Sequence, residues 1–483
     1  MNMQADVVII GAGVVGSAIA RELSKYQLNV ILLDRNRDIG GYASKCNGGT
    51  LSAGHDAPVG SLEAKLTVEA NRMYPKILEE LEVKHINRGT ISVALNKAEL
   101  VQLNQIRKNA IRNGVLNVET LSGDQCRTLE PMLSEQVCGG LLIPGEISAD
   151  IFELVYAYVQ NAIQNGVRFL RGTKAVRIEM DEKQSRVAAV ITEHGRIETR
   201  FIINCSAIYA DQIARTVGVH DYRNYPRTGQ YYLLDKNLPY CPKYIIIPLP
   251  TAISRGRLIT PTVHGNILIG PSADNGMDRE YRSTDKQTLD SVLADCRKMI
   301  PALNPRDSIT QFTGVRPAKN PKDWFVRAID SVYGYVEAVG ISQGVSAAPA
   351  VAVYIREILD DQGLSLRRKK EFNPHRKAFK RFAEMSEDER AEAIRKDPHF
   401  GNVICRCETV TEGEIIRVIH EEPSAMSLDA VKRRLRAGMG RCQGGFCSPR
   451  VVEILAREFG VPAETICKNE PGSEVLVAIE RAK

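Results

Sequence analysis

Four apolar residues, Val7-Val8-Ile9-Ile10, run into Gly11-Ala12-Gly13-Val14-Val15-Gly16, and after a stretch of helical spacing a second apolar run, Val30-Ile31-Leu32-Leu33, ends at Asp34. Short continuous apolar runs bounded by glycine read as buried strands, and the segment between them as the crossover helix of a β-α-β unit. Its first turn has the spacing of a phosphate-binding turn. Gly11 allows the tight turn, Gly13 lets the backbone approach a pyrophosphate, and Gly16 lets the helix pack on the strand. The helix N-terminus then faces the anion, and Asp34 stands where a carboxylate accepts from ribose hydroxyls. The turn alone serves NAD and FAD equally, because both carry the same ADP half.

Further along, a small polar loop, Gly40 to Gly49, is suited to lie along an extended cofactor. Helical spacing over 60–82, a strand over 87–94 and a helix over 97–114 predict the start of an inserted second domain. The pattern returns to β-α-β at Gly145 to Asp150, with a helix from Ile151 to Gly166. Strands follow at Ala175–Ile178, Val187–Thr192 and Phe201–Ala207, the last ending in small residues beside the ADP half. Alternating runs, Tyr231–Leu234, Tyr244–Ile247 and Ile267–Gly270, punctuated by Pro and Gly, predict an antiparallel sheet over 222–311 that covers the reactive half of the cofactor. Strand Tyr335–Val339 then enters a second glycine-rich turn, Gly340 to Ser346, and an apolar helix to Leu359. Its N-terminus is placed to stabilise negative charge on a flavin ring. Two such turns fit one long FAD better than one NAD.

Composition narrows this picture. The chain has 483 residues, 43% hydrophobic and 25% charged, with a net charge of +6, which describes a globular protein of several domains. Apolar runs are too short to span a bilayer, and the N-terminus enters a strand at once, so the expected location is the cytoplasm. The basic run Arg367-Arg368-Lys369-Lys370, with Arg376-Lys377 and Lys380-Arg381, lacks interleaved aromatics and reads as a solvated linker or docking face, not a nucleic-acid site. Of 11 cysteines, seven are scattered, and the remaining four come as Cys405-Arg406-Cys407 and Cys442 to Cys447. Four thiolates in two close pairs suit zinc or a [2Fe-2S] cluster. The C-x-C and C-x-x-x-x-C spacings depart from zinc ribbons, and the glycines around Cys442 leave backbone N–H groups for sulfides.

Asn47-Gly48-Gly49 with Pro58 to Leu62, Ile203 to Ala207, Arg227 to Tyr231, Thr260 to Asn266, Gly314-Val315-Arg316-Pro317 and Gly340 to Pro349 resemble the FAD-dependent dehydrogenase superfamily that includes D-amino-acid oxidase. Within it they resemble the branch of glycerol-3-phosphate dehydrogenase and L-2-hydroxyglutarate oxidase. Cys405 to Glu414, with the second cysteine pair, resembles the bacterioferritin-associated ferredoxin-like [2Fe-2S] domain. The fold class so implied is α/β: a Rossmann-like FAD-binding domain from 1–82, 141–221 and 312–365, an inserted antiparallel-sheet α+β substrate domain from 83–140 and 222–311, a linker over 366–400, and a small iron–sulfur domain over 401–483.

The expected FAD shell is Gly11, Gly13, Gly16, Asp34, Arg35, Ser44, Asn47, Gly48, Ala175, Val176, Ser206, Gly314, Gly340, Ser342, Gly344 and Val345. The cluster ligands are Cys405, Cys407, Cys442 and Cys447. The resemblance implies that Arg316 meets the substrate's anionic group, with Lys319 adding charge, Tyr231 in the pocket, and His55 or His264 as base. Two departures fall at the reactive end: Ser52 stands where relatives often carry histidine, and the final glycine turn has Gln343 and is shorter. The implied reaction is hydride transfer from a hydroxyl-bearing carbon to flavin, with electrons leaving through the cluster to a protein acceptor, a pyridine-nucleotide-linked flavoprotein. sn-Glycerol 3-phosphate is the first expected substrate, then L-2-hydroxyglutarate or another 2-hydroxy acid, then an amino acid or opine. A non-catalytic electron-transfer subunit is the reading of another class, and oligomeric state stays open.

Overall fold

The computed structural model describes residues 2–251 and 254–476. The chain divides into two compact units, Met1–Arg35 with Gly40–Arg376, and Asn36–Ile39 with Lys377–Lys483.

In the first unit, strand β1 (Asn2–Ile10), helix α1 (Val14–Leu23) and strand β2 (Val30–Leu33) form the expected parallel β-α-β unit. β1 also pairs in parallel with Gly195–Asn204, and β2 with Arg168–Leu170. Tyr335–Val339 joins the far half of Gly195–Asn204, again in parallel. Both faces of these strands are covered, which is why Val8, Ile10, Ile31, Leu33, Ile202 and Tyr335 share one buried core. The carboxyl ends of β1, β2 and Gly195–Asn204 lie side by side, and crevices at such ends are where open α/β sheets bind ligands.

A second sheet gathers both excursions of the chain. Its spine is a long antiparallel pair, Arg223–Lys236 with Ser308–Asn320. From there it continues through Asn266–Gly270, Leu258–Pro261 and Ile245–Ile247. Parallel pairing of Ile245–Ile247 with Thr90–Ala94 ties in the earlier excursion. The helix Lys286–Met299 packs Val292, Leu293, Cys296 and Met299 into this sheet's core. The boundary expected at 312 therefore falls inside a strand of this sheet, because Thr313 to Lys319 pair residue by residue with Asn224 to Gln230.

The expected linker over 366–400 is also divided. Gln27 N–H donates to Arg367 O at 2.8 Å, and the Asn161 and Asn165 amides hold Asn373 O at 3.0 and 2.8 Å. Buried Arg376 bonds to Gln160 Oε1, Leu81 O and Glu153. These bonds make 366–376 a strap of the first unit rather than a tether.

The second unit packs the helices Glu412–His420, Leu428–Leu435 and Ser448–Phe459 around Ile415, Val418, Val431, Leu435, Val451 and Leu455. The helix Glu387–Lys396 begins at a capping box of Ser386 and Glu389, and Thr411 with Glu414 forms another. Asn36–Ile39 belongs to this unit because the buried Asp38 carboxylate takes Arg433 and Arg434 at 2.6 and 2.7 Å. Among the described residues no helix is long and apolar enough to cross a membrane.

Candidate functional site

The two glycine turns meet. Gly11 has φ +110°, and a Cβ there would stand 2.6 Å from Cys205 O. At Gly16 a Cβ would lie 2.0 Å from Gly11 O, so only glycine lets α1 start against the turn. A Cβ on Gly344 would come within 3.4 Å of the Val15 side chain, which puts the second turn on the first turn of α1. Neither α1 nor the helix Gly344–Asp361 has a side-chain cap, so both present their amide ends. Gly340, at φ +73°, would clash with Asp323 O and the Lys319 side chain if it carried a Cβ. Ser342 accepts from Trp324 Nε1 at 3.3 Å, and Val345 O accepts from the Tyr74 hydroxyl.

Other members of the expected shell surround the same crevice. Asp34 Oδ2 accepts the Ala12 N–H at 2.8 Å, and Ser44 Oγ accepts the Val14 N–H at 3.0 Å, so both side chains also fix the turn. Thr173 N–H donates to Asp34 O at 2.7 Å, bringing in the strand start at Ala175 and Val176. Ser206 turns its N–H and hydroxyl onto Asn204 Oδ1. The Asn47 side chain bridges Ser44 O and Gly49 N–H, and around Gly48 there is open space. Arg35 lies over the Tyr209 ring at 4.2 Å and pairs with Glu280 at 2.7 Å. Glycines whose Cβ would fill the cradle, two uncapped helix N-termini and a carboxylate at the end of β2 fit the ADP half and the pyrophosphate of FAD.

The reactive face is built on the long strand pair. Arg227 stands directly opposite Arg316, Gly229 opposite Gly314, and Tyr231 opposite Phe312. Alternation puts these residues on one face. Tyr231 and Phe312 stack with centroids 4.9 Å apart, and burial pushes the Tyr231 hydroxyl up to about 12. The glycine pair admits Cys46 and Pro271, against which a Cβ at Gly314 or Gly229 would clash at 2.3 and 2.8 Å. Arg316 donates to Ser272 O at 2.8 Å, while its Nε is buried without a hydrogen-bond partner among the described residues. Burial, with the charges of Arg227 and Arg255 nearby, lowers its pKa. Arg255 is itself held by Asp56 at 2.7 Å and Glu63 at 2.5 Å, and Glu63 accepts from Gln343 Nε2 at 3.1 Å. Asp56 Oδ1 is buried with no partner among the described residues.

His55 joins this cluster. Its Nδ1 lies 2.8 Å from Glu146 Oε1, with both side chains buried. Glu146 also accepts from Ser52 Oγ, Ala53 N–H and Thr90 Oγ1. Ser52 N–H in turn donates to Ser346 Oγ at 2.9 Å, linking the pair to the second glycine turn. Burial opposes the imidazolium, but Glu146 and Asp56 outweigh it and His55 is raised; Glu146 is lowered despite its own burial.

Two expected site residues are held by other partners. Lys319 is three positions from Arg316 on one strand, so it projects from the opposite face. Its Nζ donates to Pro321 O at 2.7 Å and lies 3.2 Å from the Phe325 ring centroid, and burial brings it down to about 8. His264 Nε2 is bound to Asp150 at 2.7 Å. Asp150 and Glu146 flank the strand Ile147–Ala149, and four residues of extended chain separate the two histidine partners by roughly 13 Å. Glu146, Asp56, Glu63 and Arg255 escaped sequence reading. Glu146, Asp56 and Arg255 lie in loops and Glu63 at the start of the helix Leu62–Glu80, none of them in a motif, and only tertiary pairing reveals them.

In the second unit the four cysteines fall into two pairs, each taking one residue from each motif. Cys407 and Cys442 sulfurs are 3.9 Å apart, and Cys405 hydrogen-bonds with Cys447. The Cys447 contact, with Gly438 and Glu408 N–H groups, brings Cys405 down to about 6. Phe446 and Gly444 N–H groups lower Cys442. Among the described residues no three His, Cys, Asp or Glu converge on a single ion. Two thiol pairs supplied with backbone donors match a two-iron cluster better than one tetrahedral zinc.

Comparison with known proteins finds both domains. The FAD dependent oxidoreductase family matches residues 6–358, and the BFD-like [2Fe-2S] binding domain matches residues 403–457. A glycerol 3-phosphate dehydrogenase of Caloramator mitchellensis is 40% identical, over 98% of both chains. A glycerol 3-phosphate oxidase of Mycoplasma genitalium is 29% identical over 77% of this chain and 97% of its own. The dithionite-reduced, FAD-bound structure of L-alpha-glycerophosphate oxidase from Mycoplasma pneumoniae superposes with a TM-score of 0.74 at 26% identity, covering 78% of this chain and 99% of that one. Glycine turns, carboxylate, paired thiols and these matches together make the chain a member of the FAD dependent oxidoreductase family that carries a BFD-like [2Fe-2S] domain behind its flavin domain.

Proposed function

We propose that the protein is an sn-glycerol 3-phosphate dehydrogenase. The observation that carries this reading is the arginine corner: Arg227 faces Arg316 across the strand pair, and Arg255 acts on Arg316 from a third segment. Like charges directly opposite on a sheet are destabilising, and a dianionic phosphate relieves that repulsion. The unpartnered Arg316 Nε supplies a donor for it. When bound, FAD supplies the hydride acceptor and the [2Fe-2S] cluster the one-electron outlet. The Gly11 and Gly340 turns, Asp34, Ser44 and Ser206 would hold the one; Cys405, Cys407, Cys442 and Cys447 would hold the other. Arg316 orients the phosphate. His55, its Nδ1–H directed at Glu146, accepts the C2 hydroxyl proton at Nε2.

Asp56 Oδ1 favours this substrate over L-2-hydroxyglutarate. A buried acceptor suits the terminal hydroxyl of glycerol 3-phosphate, whereas a second substrate carboxylate beside Asp56 and Glu63 would meet like charge. Length speaks for a dehydrogenase rather than an oxidase. The Mycoplasma genitalium oxidase uses 97% of itself to match 77% of this chain, while the Caloramator relative matches 98%. We read the acceptor as a pyridine-nucleotide-linked flavoprotein and the working compartment as the cytoplasm. The test is anaerobic stopped-flow bleaching of the flavin by glycerol 3-phosphate, L-2-hydroxyglutarate and amino acids. Fast bleaching by the first alone supports the reading; bleaching by none returns the chain to the class of electron-transfer subunits.

A further inference from the structure

The two sulfur pairs of the second unit differ in their access to solvent. Cys405 and Cys447 are 1% and 2% exposed, whereas Cys407 is exposed and Cys442 half-buried. An electron therefore meets solvent, or a protein, at the Cys407–Cys442 edge. Arg406 immediately precedes Cys407, Arg441 immediately precedes Cys442, and both are exposed. Arg450, exposed one turn into the following helix, adds a third guanidinium, tied to Glu453 at 3.4 Å. Glu408, next to Cys407, is turned inward onto Arg436 at 2.9 Å. Phe446 donates its backbone N–H to Cys442 while its ring stands 85% exposed. An aromatic ring in open solvent beside an exposed thiol pair, ringed by arginine, has the composition of a protein interface: an apolar anchor with a charged rim.

We propose that the Cys407–Cys442 edge, with Arg406, Arg441 and Phe446, is the docking surface for an electron-carrier protein that presents an acidic face around a one-electron centre. The proposal rests on the reading of the cluster as the electron outlet. Substrate oxidation releases two electrons and the cluster passes them one at a time, so the acceptor takes two successive electrons through this edge at each turnover. A small, electrostatically steered contact serves that need, since charge complementarity raises association rate more than residence time.

The probe is a plant-type [2Fe-2S] ferredoxin, an acidic one-electron carrier, with horse cytochrome c as the basic counterpart. Binding of oxidised ferredoxin to immobilised, oxidised holoenzyme is read by surface plasmon resonance, which needs no turnover. Expected are binding that weakens about tenfold or more between low and physiological salt, and a loss of about tenfold in Arg406→Glu/Arg441→Glu. Phe446→Ala should weaken binding without changing its salt slope. Iron and sulfide analysis keeps only variants that retain the cluster; Arg406→Gln/Arg441→Gln, with an intermediate loss, serves if the reversal does not. Ferredoxin binding that ignores these changes, or tighter binding of cytochrome c, overturns the proposal. Stopped-flow bleaching by glycerol 3-phosphate is run on the same variants. Bleaching that fails in the wild type sinks the proposed substrate and leaves the binding result standing by itself.

Discussion

Replacing Arg316 by alanine removes the guanidinium whose Nε has no protein partner and whose NH2 holds Ser272 O at 2.8 Å. A hydrogen bond to a charged group contributes roughly 1.5–3 kcal/mol, so losing one phosphate contact should lower kcat/KM for glycerol 3-phosphate by roughly 10- to 150-fold. The fold should bear the change well, because the variant also ends the repulsion between Arg316 and Arg227, a cross-strand effect of roughly 0.2–1 kcal/mol. FAD content should stay at the wild-type level, since the Gly11 and Gly340 turns lie apart from this side chain. Arg316→Lys should recover only part of the loss, a point charge lacking the planar fork that matches phosphate. The assay is anaerobic flavin reduction over a range of glycerol 3-phosphate, with glycerol as the uncharged comparison. Charge recognition requires that the variant lose the phosphate ester and leave the slow reaction of glycerol unchanged. If both substrates fall alike, or flavin is lost in proportion to activity, Arg316 supports the fold or the cofactor and the anion site lies elsewhere.

The pH dependence follows from the His55–Glu146 pair. Glu146 and Asp56 raise His55 above 6.5 against the effect of burial, so the imidazole is protonated and unable to act as base until pH climbs past that raised value. Flavin reduction should therefore increase with pH to a midpoint above 6.5, and Glu146→Gln should move the midpoint down; an unmoved midpoint removes His55 as base. Stability runs the other way: a raised folded-state pKa stabilises below the unfolded value and that contribution is lost as pH rises through the folded one, so Tm should fall across the same window in which activity rises. The Glu146 contribution, from a lowered pKa, is lost only as pH falls through its folded value in the acid range. Gly11→Ala forces a side chain into φ +110° and 2.6 Å from Cys205 O, strain of roughly 1–3 kcal/mol or more, and should yield flavin-free protein by absorbance. Asp56→Asn should narrow the preference for glycerol 3-phosphate over L-2-hydroxyglutarate; unchanged selectivity would exclude it as a determinant. Lys319→Met should leave KM for the phosphate substrate within about twofold, because its amine faces Phe325 and Pro321 O from the far side of the strand.

How far the sequence shows this site depends on how far apart its contacts lie in the chain. The cofactor cradle was legible because a turn needing φ > 0 at Gly11, and no Cβ at Gly16, writes itself into consecutive residues. The cysteine motifs are equally local. By contrast, the boundary expected at 312 failed because nothing within Thr313 to Lys319 marks which sheet the strand joins. Only their pairing with Asn224 to Gln230 reveals the sheet that owns them. The strap at 366–376 read as linker because its hold comes from Asn161, Asn165 and Glu153, two hundred residues earlier in the chain.

The same distinction bears on two expected residues at the reactive end. Lys319 looked like a second cation because it lies near Arg316 in sequence, but a strand sends residues three apart to opposite faces. True neighbours of Arg316 in charge are Arg227 and Arg255, each from another segment. His55 and His264 were indistinguishable as isolated histidines. Their carboxylates separate them: Glu146 also holds Ser52, which reaches Ser346 and so the second glycine turn, while Asp150 binds His264 at the far end of the strand Ile147–Ala149. A base must meet both substrate and cofactor, and this connection to the glycine turn is the ground on which we propose His55. The substituted position that looked like a loss of catalytic histidine, Ser52, thus becomes the hydrogen-bonded link between the cofactor turn and the Glu146–His55 pair.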